Sequence, residues 1–274
     1  MYLNLKCRWY RLGGGESVSQ YRQMEKTIRL NTAETALVLV DTWEVRNMER
    51  YPFLPGLPRR FVNEIMEPIV RRRIKPTLEA ARRLGLPVVH LPSYYVAEKY
   101  PAFRGGVPRC NVAYPESRVV KGKPPAKSGA AWPPPAYVTR RLREWQHDRY
   151  GVSTGRIDDM RRQNTYIHSA LTPIPGEYVL SNKDELHWLL QRRKITNLLY
   201  AGFMLNACLL FKSGGLHDMA LGCGKNYFCI LLRDCTVAAE NNHTLKDMTM
   251  TRCFTEWFEM GMGYTTARLF RANA

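Results

Sequence analysis

The sequence predicts an α/β fold: a mostly parallel central sheet covered on both faces by helices, with a long excursion inserted into it. Three observations predict it. Short continuous apolar runs rich in β-branched residues recur, as expected of strands buried on both faces. Segments with helically spaced apolar residues alternate with them, the pattern of parallel strands joined by crossover helices. Aspartates and one cysteine fall at or just past the ends of these runs, where such sheets bind ligands.

Taken in order, residues 1–30 read as an N-terminal extension with a flexible GGG at 13–15, ahead of a domain spanning 31–274. TALVLVD (35–41) is a buried strand ending in Asp41. Residues 61–84 carry Phe61, Ile65, Ile69, Leu78, Ala81 and Leu84 at helical spacing, and Gly85 closes the segment. Pro68 and Pro76 interrupt it, which predicts one or two helices with a break or kink. LPVVHL (86–91) is a second short strand. Residues 92–176 form a proline-rich excursion with weak periodicity outside a helix at 136–147. Regular order returns with a strand in EYVLS (177–181), a helix in DELHWLLQRRK (184–194) and a strand in TNLLYAG (196–202). A helix is predicted from Ala207 to Leu221, stopped by Gly222 and Gly224. NYFCILLRD (226–234) is another strand closed by an aspartate, and TLKDMTMTRCFTEWFEMG (244–261) is an amphipathic helix.

The totals bound the function. At 274 residues the chain can bury a sizeable core. No stretch of about 18 apolar residues occurs, so no membrane span is expected. The first residues lack the apolar core of a secretory signal. Seven cysteines with no CxxC pair predict free thiols and a reducing, cytoplasmic compartment. The formal charge of +17 attracts nucleic acid, acidic membranes or anionic substrates. The basic residues are dispersed, however, and no nucleic-acid-binding motif organises them. A solvated basic surface is the plainer reading.

Cys208 stands where a strand gives way to a helix, in YAGFMLNACLL (200–210). A helix N-terminus stabilises a thiolate, and its amides can hold an oxyanion. From the residues alone two readings stay open: a nucleophile, or a small buried thiol.

LVLVDTW, LPVVHLPS, ITNLLYAGFMLNACLL and ILLRDCT, in this order and spacing, resemble the isochorismatase-like cysteine hydrolases. The similarity covers roughly residues 33–91 and 177–265; CLLFKSGGLHDM resembles the branch with a Gly-Gly after the cysteine. The resemblance implies a three-layer Rossmann-like α/β/α fold, no cofactor, and assembly into a homo-oligomer, a dimer or tetramer. It implies an Asp–Lys–Cys triad with Asp41 as proton acceptor and Cys208 as nucleophile. It also implies a cis bond between Phe203 and Met204, which aims the Met204 and Cys208 amides at an oxyanion. The family lysine falls on Asn182 when PGE (175–177) is matched, with Lys183 one step on. Lys183 is therefore the candidate cation, or else a solvent-facing residue before a helix. Trp43, His90, Tyr94 and Asn182 are candidates for substrate contact. Their alternatives are core packing for Trp43, a satisfied structural role for His90, and anchoring of the excursion for Tyr94 and Tyr95. Asp234 reads as the cap of a following turn rather than a binding group. DTWEVRNMERY has no histidine, so the metal site of some relatives is not expected here. Leu205 stands where relatives often carry threonine.

The implied activity is hydrolysis of a C–N bond in a small amide, carbamoyl or ureido molecule through a Cys208 thioester. Two alternatives remain. One is a vinyl-ether hydrolase of the isochorismatase type. The other is a non-catalytic member that binds an anionic partner through its basic surface.

Overall fold

In the computed structural model the described residues are 1–13, 21–45, 53–54, 57–104, 133–150 and 162–267. The central sheet has eight strands in the order β2-β1-β12-β11-β10-β3-β7-β9. These are β1 (Tyr2–Leu12), β2 (Tyr21–Asn31), β3 (Thr35–Val40), β7 (Val88–Leu91), β9 (Tyr178–Val179), β10 (Asn197–Phe203), β11 (Phe228–Val237) and β12 (Tyr264–Thr266). From β12 to β9 every neighbouring pair is parallel. Two-stranded pairings lie outside the sheet: β4 (Trp43–Val45) with β8 (Thr165–Ile167), and β5 (Phe53–Leu54) with β6 (Leu57–Pro58).

The strands are apolar on both faces because both faces are covered. Along β3, Leu37 and Leu39 enter one core layer, and Ala36, Val38 and Val40 enter the other. The first layer is closed by the helical segment 59–83, through Phe61, Met66, Val70, Ile74, Leu78 and Ala81. The second is closed by the helix Lys183–Arg193, through Leu186, Leu189 and Leu190, and by Phe258 of the helix Thr249–Gly261. The α/β/α layering and the mostly parallel sheet expected from the sequence are both present.

Several local expectations need correction. The segment 59–83 does not break at its prolines. Wide π-turns, Val62–Met66 and Val70–Ile74, precede Pro68 and Pro76. Proline cannot donate to the carbonyl four residues back and collides with it. The wider turn, in which Glu67 N–H reaches Val62 O and Lys75 N–H reaches Val70 O, takes up that conflict without ending the helix. β1 and β2 pair antiparallel, and β1 is joined to the main sheet by Cys7–Thr266 and Arg8–Thr265 pairing. Leu3, Leu5 and Cys7 alternate into the core. Of the GGG stretch, 14–15 lie outside the described residues. The helix after Cys208 is shorter than predicted: it gives out after residue 211, and a separate turn, Leu216–Met219, follows Gly214 and Gly215. β11 runs three residues past Asp234, so this aspartate lies inside a strand rather than capping a turn. The last helix begins at Thr249. Within the excursion, the helix expected at 136–147 is Pro135–Tyr150, and most of residues 105–161 outside it lie beyond the described set. No helix among the described residues is long and apolar enough to cross a membrane.

Candidate active site

The site forms where β3 and β10 end side by side. Gly202 pairs with Val40 in register. A Cβ on Gly202 would sit 1.9 Å from the Val40 carbonyl oxygen, so the two backbones meet closer than any side chain permits. Gly202 also has φ +127°, a conformation that favours glycine. One residue beyond Val40 is Asp41, and six beyond Gly202 is Cys208.

Asp41 is 3% exposed and has φ +43°, rare for a residue with a side chain. Its amide donates to Leu91 O of β7 at 3.3 Å. A buried carboxylate needs compensation, and Lys212 supplies it. The Lys212 ammonium lies 3.0 Å from Asp41 Oδ1 and donates to Leu91 O at 3.1 Å. The pair is nearly dry, with side-chain exposures of 12% and 3%.

Cys208 is brought to this edge by the chain after Phe203. The Phe203–Met204 bond is cis. Met204 O accepts from Ala207 N–H and Leu209 N–H, both at 3.0 Å. Ala207, at φ −142° and ψ −107°, departs from helical geometry just before the cysteine. Cys208 is half-buried against the second core layer. Its carbonyl accepts the Lys212 amide at 3.1 Å, which sets Cys208 and Lys212 one turn apart on the same stretch of chain. The Asn206 amide exchanges two hydrogen bonds with the Ala239 backbone, tying this turn to the loop after β11.

Lys183, the lysine expected from the sequence, is elsewhere. Its ammonium pairs with Asp218 at 3.6 Å. The physical reason is the helix it opens. Asn182 is the N-cap, and its Oδ1 accepts from Asp184 and Glu185 N–H, both at 3.0 Å. Capping fixes Lys183 as the first helical residue and commits Asn182 to backbone amides rather than to substrate. The cation on Asp41 is Lys212, and the sequence reading missed it. Its signal was local: CLLFK places a lysine four residues after the cysteine, on one helical face.

The other expected contacts divide. His90 is 1% exposed and bonded to Glu177 at 3.0 Å, where Arg82 also binds the carboxylate at 2.7 Å. Burial pushes the imidazole below its ordinary value, so it stays neutral. Burial by itself would raise Glu177, but hydrogen bonds from His90, Arg82 and the Ile174 amide outweigh it and hold the carboxyl at about 2. His90 therefore belongs to a buried polar network and not to the site. Tyr94 is 47% exposed and packs edge-on to Phe103 within the excursion. Phe203 is fully buried.

Trp43 does line a cavity, of about 160 Å³, with Glu44, Met66, Glu67, Arg71 and His168 among its walls. The excursion contributes His168, whose ring bonds Glu67 at 2.7 Å and whose amide donates to Thr42 O at 2.8 Å, next to Asp41. Glu44 accepts from both the amide and the hydroxyl of Ser169. The sequence offered no hint of these contacts, because the partners lie more than a hundred residues apart. A larger cavity, about 460 Å³, lies between Arg60, Phe61 and Glu64 of the first helix and Glu240, Asn241 and Leu245 after β11. No group of three His, Cys, Asp or Glu able to hold a metal ion occurs among the described residues.

No family model matches the sequence, and no curated protein matches it. Among solved structures, the chain is similar to a cysteine hydrolase from Pseudomonas syringae pv. phaseolicola 1448A, at 15% identity and TM-score 0.48 over 87% of this chain and 90% of that one. It is also similar to an isochorismatase from Pseudomonas putida KT2440, at 14% identity and TM-score 0.41 over 87% and 90% of the two chains. An isochorismatase family protein from Desulfovibrio vulgaris subsp. vulgaris str. Hildenborough matches at 19% identity and TM-score 0.41, over 81% of this chain and 91% of that one.

Proposed function

We propose that this chain is a cysteine-dependent hydrolase that cleaves a C–N bond of a small amide, carbamoyl or ureido compound. The observation that carries the reading is a dry carboxylate–ammonium pair, Asp41 with Lys212, one helical turn from Cys208. Buried charges of this kind at the carboxyl edge of a parallel sheet are a common signature of chemistry rather than stability.

The steps follow from the groups. Asp41 takes the proton of the Cys208 thiol. The thiolate attacks the carbonyl carbon, forming a C–S bond, and the carbonyl oxygen becomes an oxyanion facing the amides around Met204 and Cys208. As the intermediate collapses the C–N bond breaks, and Asp41 returns its proton to the departing nitrogen. Water, giving a proton to Asp41, then attacks the thioester. The C–S bond breaks, the acid leaves, and the sulfur recovers its proton from Asp41. A positioned acid–base group of this kind contributes typically about 10²–10⁴-fold to rate. The cavity beside Trp43 and His168 is the nearby space for the part of the substrate that does not react.

The test is a panel of primary amides, carbamoyl compounds and ureas assayed for ammonia release, with Cys208→Ala and Asp41→Asn run beside the parent protein. Release that disappears in both variants at unchanged melting temperature is the expected result. Equal release in the variants would remove both residues from the mechanism.

A further inference from the structure

We infer that Lys212 is the positioning cation of this site, so that the nucleophile and the charge that steadies it ride on a single turn of chain. The inference rests on the roles proposed above for Asp41 and Cys208. Two lysines are available near the strand ends, and their surroundings separate them. Lys183 is 35% exposed at its side chain and lies 3.6 Å from Asp218. Lys212 is 12% exposed at its side chain and lies 3.0 Å from Asp41. Asn182 cannot supply a charge, and its oxygen is committed to two backbone amides.

The position of Lys212 has chemical content. An ammonium has three N–H donors. Among the described residues two of the Lys212 donors have oxygen partners, Asp41 Oδ1 and Leu91 O. The remaining donor leaves the ammonium able to serve a second anion. During the proposed proton transfer the negative charge moves between the Asp41 oxygen and the Cys208 sulfur. Without a cation, Asp41 opposes a neighbouring thiolate by like-charge repulsion. With Lys212 beside them, whichever group carries the charge is compensated. The backbone bond from Lys212 N–H to Cys208 O, 3.1 Å, puts the cation and the proposed nucleophile one turn apart on the same stretch of chain.

The reading is tested without any substrate, by the pH dependence of Cys208 alkylation with iodoacetamide, followed by peptide mass mapping. Lys212→Met is expected to slow alkylation at pH 7 roughly tenfold or more and to move the midpoint of the profile up by about 1–2 units. Lys183→Met is expected to leave the profile in place. Lys212→Arg, which keeps the charge, is expected to recover part of the loss. If Lys212→Met does not fold, Lys212→Gln carries the measurement, since its amide still donates to Leu91 and Asp41. A Lys212→Met or Lys212→Gln profile that superposes on the parent's, or a Lys183→Met profile that shifts, overturns the inference. The outcome is separable from the hydrolase proposal. A shifted profile in a protein that releases no ammonia from any amide refutes the C–N reading and leaves the cation assignment standing. Ammonia release unchanged in Lys212→Met with an unshifted profile does the reverse.

Discussion

Gly202→Ala is the substitution that most directly probes how the site is assembled. Two penalties coincide at this position. A side chain at φ +127° is strained, by about 1–2 kcal/mol for a left-handed L-residue. The new methyl would also lie 1.9 Å from Val40 O, 2.8 Å from Val40 C and 2.9 Å from Val40 N, all backbone atoms that cannot rotate away. Overpacking of this kind typically adds about 1–3 kcal/mol. The sum, about 2–5 kcal/mol, corresponds to a loss of roughly 5–15 °C in melting temperature for a protein of this size. Two control positions separate the terms. Gly85 has φ +66° with nothing within 4 Å of the added methyl, so Gly85→Ala isolates the dihedral cost. At Gly224 the methyl would meet Asp218 O at 1.9 Å with no left-handed φ, so Gly224→Ala isolates the contact. Differential scanning calorimetry should rank Gly202→Ala as the most damaging of the three. Gly202→Ala should also slow Cys208 alkylation, because the strand end it pushes carries Asp41. A Gly202→Ala protein melting within about 2 °C of the parent would refute the argument that these two strand ends are in backbone contact.

Asn182→Ala should lower stability by about 1 kcal/mol, the usual value of a lost N-cap, while leaving the Cys208 alkylation profile unchanged; thermal melts and mass mapping check both halves. Glu177 ionises in the folded protein at about 2, below its ordinary value of 4.5, so its contribution is fully present above pH 4.5 and is lost as pH falls toward 2. His90, neutral when buried, adds a loss that sets in as pH falls below the imidazole's ordinary 6.5, because the unfolded chain then binds the proton the folded one refuses. Glu177→Gln should therefore flatten the pH dependence of urea midpoints between about 4.5 and 2, and an unchanged slope would count against the buried network.

Much of the fold was legible because its evidence is contiguous. TALVLV, VVHL and NLLYAGF read as strands since a sheet covered on both faces imposes an unbroken apolar run. Asp41 and Cys208 stood out by position, Asp41 at the end of such a run and Cys208 six residues past the glycine that ends another. The alternation of Leu3, Leu5 and Cys7 also carried a strand signal, but its partner strand β12 lies at the far end of the chain, so the segment read as an appendage. Prolines gave a correct local warning with the wrong outcome, since a π-turn can absorb what an α-turn cannot. The family resemblance puts the lysine at 182–183, whereas the ammonium on Asp41 comes from four residues past the cysteine. A structural role for His90 was readable in the sequence, but its partner was not, because nothing in its neighbourhood announces a carboxylate 87 residues away.

The edge of the sheet ties the beginning of the chain to its end. β1 meets β12 through Cys7 and Thr266, and the Arg8 guanidinium bonds Glu259 at 2.7 Å across a separation of 251 residues. Leu3, Leu5 and Cys7 reach the core only where β1 lies against β12, a strand far away in sequence. Contacts this distant in sequence form late and slow the search for the native state. A β1–β2 ribbon not yet docked on β12 leaves these apolar side chains uncovered, and that interval is where a chaperone has the most to protect.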